Sequence, residues 1–63
     1  MEYIDKFQQQ MLDIIKEINP KAYDDFMNLP MATAIDQLET WEEKFGTVED
    51  ARKGLKEFYS DYE

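Results

Sequence analysis

The side chains in this chain that could carry chemistry are its carboxylates. Fifteen Asp and Glu stand against seven Lys and Arg over 63 residues, and there is no His and no Cys. Four of the acids, Asp36, Glu39, Glu42 and Glu43, lie in one stretch where Lys44 is the nearest base. Carboxylates in pairs can exchange protons with a substrate, as in glycoside hydrolysis. They can equally face a basic surface. The first use needs a cleft of several hundred cubic ångströms, more than a chain of this length can enclose.

Other catalytic chemistry lacks its parts. Without His there is no base that titrates near neutrality. Ser60 is the only Ser, with no base to activate it. Thr33, Thr40 and Thr47 read as helix-surface or cap residues. A zinc site of the usual kind is excluded without thiolate or imidazole. Asp24-Asp25 lacks the spacing of a calcium loop, and no Gly-rich loop is present to cradle phosphate. The chain is therefore expected to be non-enzymatic, with no cofactor and no metal.

The elements that must position these acids are helical. Ile4, Phe7, Met11, Ile14, Ile15 and Ile18 recur in steps of three and four, with Tyr3 and Leu12 widening the stripe. A stripe this wide suits a helix touching two neighbours. Asn19-Pro20 ends that helix and can open the next, Asn19 as N-cap and Pro20 in the first position. Leu29-Pro30 is a second break. Met31, Ala34, Ile35, Leu38, Trp41 and Phe45 form the third stripe, closed by Gly46 at a helix C-terminus. Thr47 then caps a last segment with Val48, Ala51, Leu55, Phe58, Tyr59 and Tyr62 on one side. Gly54 within it would be justified by a close helix crossing.

No alternating run signals a strand. The expected fold is all-α: a small antiparallel three-helix bundle with a short extra helix in the first connection, the helices at about 2–19, 20–28, 31–45 and 48–62, in one domain over 1–63. Gln8, Gln9 and Gln10 are expected mostly in solvent. Met11, Met27 and Met31 read as gap-fillers in the bundle. Phe7, Phe26, Trp41, Phe45 and Phe58 read as core, part of Trp41 reaching the surface. Asp24 and Asp25 are expected in the first turns of the short helix, where the macrodipole favours negative charge.

Charge placement points to a surface. About Leu38 as the centre of the buried face, Asp36, Glu39 and Glu43 lie about 100–160° to one side. Glu2–Lys6, Asp13–Lys16, Glu49–Lys53 and Lys53–Glu57 have complementary spacing on the first and last helices. The net charge of -8 is thus expected to be concentrated on the third helix. It repels nucleic acid backbones and anionic membranes, and attracts a protein with a basic surface.

Candidate partner-binding residues are Asp36, Glu39, Glu42, Glu43, Tyr59 and Tyr62, the tyrosines as interface anchors near the C-terminus. The leading expectation is a protein-binding regulator, an adaptor or inhibitor docking through a helix face. A second is an acidic decoy whose carboxylates stand in for phosphates in a basic groove. A third is a self-associating module, a homodimer burying leftover apolar edges. No apolar run reaches the length of a membrane span, no secretory signal opens the chain, and a cytoplasmic location is expected.

Overall fold

The computed structural model describes residues 4–62, and the expectation for Glu2–Lys6 lies outside them. Four helices follow one another, α1 (Lys6–Ile18), α2 (Pro20–Met27), α3 (Met31–Phe45) and α4 (Val48–Phe58), with no strand among the described residues. The fold of the described residues is all-helical. No helix is long and apolar enough to cross a membrane among the residues described.

Three helix starts and one stop follow from local chemistry. The Asn19 side chain accepts from the backbone N–H groups of Lys21 and Ala22, at 3.0 and 3.2 Å, with Pro20 opening α2. The Thr47 hydroxyl oxygen accepts from the Asp50 N–H at 3.1 Å. Gly46 closes α3 with φ of +77°, in the left-handed region that a glycine enters without strain. Pro30 caps α3 with no side-chain hydrogen bond.

The start of α1 departs from the expected residue 2. Asp5 accepts from the Gln8 N–H at 2.8 Å, while the Gln8 side chain accepts from the Asp5 N–H at 3.3 Å. This reciprocal capping box satisfies two donors at once and fixes the boundary. It leaves Ile4 outside the helix. At the other end α4 stops at Phe58 rather than 62, and residues 59–62 continue in turns that bring Tyr62 to Asn19.

The core forms along α1, which packs against each of the other three helices, while α3 packs against α4. Met11, Ile15, Leu38 and Leu55 are its largest fully buried side chains. Trp41 of α3 bridges α2 and the end of α4. Its ring stacks on Phe26 at 5.7 Å between centroids, and meets Phe58 and Tyr59 edge-on at 5.8 and 6.4 Å. It is buried, with no substantial part at the surface. The Phe45 ring lies directly over Gly54, where any Cβ would collide with it. That close approach explains the glycine inside α4.

The molecule measures 29 × 25 × 15 Å, and the shortest dimension has room for no more than two layers of helix. Several apolar side chains therefore remain uncovered, contrary to the sequence expectation. Phe58 is 66% exposed, outside the core assigned to it, because Ala51, Leu55 and Tyr59 already occupy the inward row at four-residue steps. Met27 and Met31 are likewise exposed rather than filling gaps.

Candidate functional site

Two neighbouring surfaces stand out: the acidic side of α3 and an apolar groove where α2 passes into α3. On α3 the residues Asp36, Glu39 and Glu43 are exposed, and none of them is in an ion pair among the described residues. Glu42 differs. It is half-buried and accepts a 2.9 Å hydrogen bond from the side-chain nitrogen of Gln8, a residue only 4% exposed. Gln8 is thus buried against the expectation of solvent. Its position three before Met11, four before Leu12 and seven before Ile15 puts it on the inward stripe.

Burial and then the neighbouring carboxylate of Asp5, with a further contribution from Glu39, hold Glu42 above its ordinary 4.5, while the Gln8 amide acts the other way. The negative field of α3 therefore extends to the N-terminal cap of α1. The pairs expected on the first and last helices, Asp13–Lys16, Glu49–Lys53 and Lys53–Glu57, are not formed among the described residues. Among the described residues the ion pairs are Lys21–Asp25 at 3.3 Å and Arg52–Glu17 at 3.1 Å, both exposed. Neither touches the acidic side of α3.

The two candidate tyrosines have structural work. Tyr59 is 7% exposed, so its ring belongs to the core and is not presented as an anchor. Burial pushes its hydroxyl above the ordinary 10.0. Tyr62 is partly exposed and ties the C-terminal turn to α2. Its hydroxyl donates to the Asp25 carboxylate, and its carbonyl accepts from the Asn19 side-chain amide at 3.2 Å. The Tyr62 hydrogen bond, ahead of Lys21, holds Asp25 below its ordinary 3.8, and the same bond raises Tyr62. Asp24 and Asp25 thus lie past the first turn of α2, and Asp25 is held by partners rather than by the helix dipole.

The groove was missed in the sequence. Met27, Leu29 and Met31 are between 41% and 55% exposed and rim a cavity of about 120 Å³. Leu12, Phe26 and Leu38 close its base, and Ile4, Ala34 and Ile35 its sides. A small-molecule site usually offers about 300–1,000 Å³, so this volume suits a single apolar side chain. The missed signal was Asn28-Leu29-Pro30, a break too short to bury the apolar residues on either side of it.

Groove and acids adjoin. Met31, Ile35, Glu39 and Glu43 stand at four-residue steps, so one ridge of α3, with Ile35 half-buried in it, runs from apolar to acidic. Ile4 of the groove wall precedes Asp5 of the acidic group. No protein-family model, curated protein or solved structure matches the chain.

Proposed function

We propose that this chain is a non-enzymatic protein-binding regulator, an adaptor or inhibitor that docks on a partner protein through the surface at the α2–α3 junction. One observation carries the reading: Met27, Leu29 and Met31 stand exposed around an apolar cavity sized for one side chain. Anchoring a partner side chain in such a pocket is how interfaces concentrate their binding energy. The short connections at 19, 28–30 and 46–47 support reading α1, α3 and α4 as an antiparallel three-helix bundle. In that reading α2 is an extra helix in the first connection, which brings its C-terminal end to the groove.

A pull-down from the native host tests this, with the wild-type chain and a Met27→Gln, Met31→Gln variant as parallel baits. A partner held by the wild type and lost by the variant supports groove docking. An identical set of proteins on both baits contradicts it.

Asp36, Glu39 and Glu43, in no ion pair among the described residues, favour a second reading, an acidic decoy for a nucleic-acid groove in a basic protein. Arg52, Lys53 and Lys56, all exposed on α4, interrupt the negative field and rank it second. A decoy should lose its partner steeply with added salt and keep it when the two methionines are replaced.

A further inference from the structure

The groove and its acidic margin together specify what kind of partner surface fits, on the reading that the groove is the docking site. A cavity of about 120 Å³ takes one aliphatic side chain. Its exposed methionines can adjust to Leu, Ile or Met alike, since the thioether is flexible and polarizable. The ridge beyond it is acidic and has no cation of its own, as Glu39 and Glu43 are in no ion pair among the described residues. Along α3, Glu39 lies about 6 Å and Glu43 about 12 Å beyond Ile35, from the rise of a helix. A second helix lying along α3 has the same rise, so its residues meet these carboxylates at one-turn intervals.

Charge decides among occupants. A second copy seated groove to groove would set two chains of charge -8 against each other and is not the basic partner that the acidic margin calls for. An acidic helix or a phosphate-bearing surface is repelled in the same way. A basic amphipathic helix satisfies both halves, and helix-in-groove docking is an established mode of recognition. We infer that the groove takes an amphipathic helix of the partner, which seats one large aliphatic side chain between Met27, Leu29, Met31 and Ile35 and sets Lys or Arg one and two turns away, opposite Glu39 and Glu43. Apolar contact supplies the anchor, and the charges fix direction and register.

The test uses the full chain with its methionine methyls isotope-labelled and three synthetic helical peptides of equal length. The first carries a central Leu with Lys four and seven residues beyond it. The second has Glu in place of each Lys, and the third has Gln in place of the Leu. The first peptide is expected to shift the Met27 and Met31 methyl resonances in a saturable way, the others at least about tenfold more weakly. Glu39→Gln with Glu43→Gln should weaken the first peptide by about tenfold. If the second peptide binds the groove as well as the first, the basic-helix partner is overturned while groove docking stands; if the third does, the aliphatic anchor is overturned and groove docking falls with it. If no peptide moves the methyls and sedimentation shows a monomer, both fall. A dimer whose interface contains those methyls makes a second copy the occupant and overturns the inference.

Discussion

Met11 and Met31 are the same side chain on the same kind of helical stripe, yet Met11 is 0% exposed and Met31 55%. Met11 lies mid-way along α1, the helix that touches all three others. Met31 opens α3 at the edge of a body with room for two layers of helix, and nothing in the described chain covers it. Periodicity tells which residues share a face. Whether another element covers that face depends on how many layers the chain can build, and a chain this short builds few. The core region thus supplies stability, while the α2–α3 junction holds apolar surface that the fold does not use.

The largest expected effect separates these regions most sharply. Leu55→Ala empties a fully buried site on α4 and should cost about 2–5 kcal/mol. Total stability at this length is about 3–9 kcal/mol, so thermal denaturation followed by circular dichroism should show a protein at or near unfolding. A mild effect would mean that the core is looser than its burial implies.

Next in size is the joint between α1 and α2. Asn19→Ala removes the cap on α2 and the amide that holds the Tyr62 carbonyl. The expected loss is about 0.5–2 kcal/mol. It should appear in urea denaturation, with hydrogen exchange rising in α2 before the core.

The crossing of α3 and α4 can be probed by a double-mutant cycle. Ala is favoured over Gly in a helix by about 1 kcal/mol, but at position 54 its Cβ would meet the Phe45 ring. Gly54→Ala should therefore stabilise a Phe45→Ala background by about that amount and fail to stabilise the wild type. Equal gains in both backgrounds would remove the close approach from the account.

The smallest effect concerns pH and contrasts Glu42 with Asp25. Glu42 is held above 4.5, so the folded state takes up its proton more readily than the unfolded chain. Its contribution to stability rises as the pH falls from neutrality through that folded value. Asp25 is held below 3.8, so its contribution is present above 3.8 and lost as the pH falls through the folded value. Glu42→Gln should slightly raise the melting temperature at neutral pH, with the gain shrinking towards pH 4–5. Asp25→Asn should lower it at neutral pH and make no difference in strong acid. Melting curves of both variants across pH check the opposite signs.

Much of this fold was legible in the sequence because its punctuation is local. Asn19-Pro20, Gly46 and Thr47 act through their own backbone and their nearest neighbours, and the helices break at those residues. The start of α1 was less legible because the apolar stripe runs on through Tyr3 and Ile4, whereas the Asp5–Gln8 box sets the boundary. The inward place of Gln8 was written in its spacing, but its partner Glu42 is remote in sequence and appears only once α1 lies beside α3. Phe58 and Tyr59 illustrate the remaining limit. Adjacent side chains both turn inward on α1, which three helices cover, but at the end of α4 only one row is covered, and the row through Ala51 and Leu55 chose Tyr59. The acids of α3 could be placed on one side from the sequence, but the groove beside them depends on how α2 passes into α3.

The central claim is that the apolar residues at this junction serve docking rather than folding. Its most direct test is stability and binding measured on one variant, Met27→Gln with Met31→Gln. The account predicts an unfolding free energy within about 0.5 kcal/mol of wild type, together with loss of the partner that the wild-type chain retains. Retention of that partner, or a fall in stability as large as that of a core substitution, would contradict it.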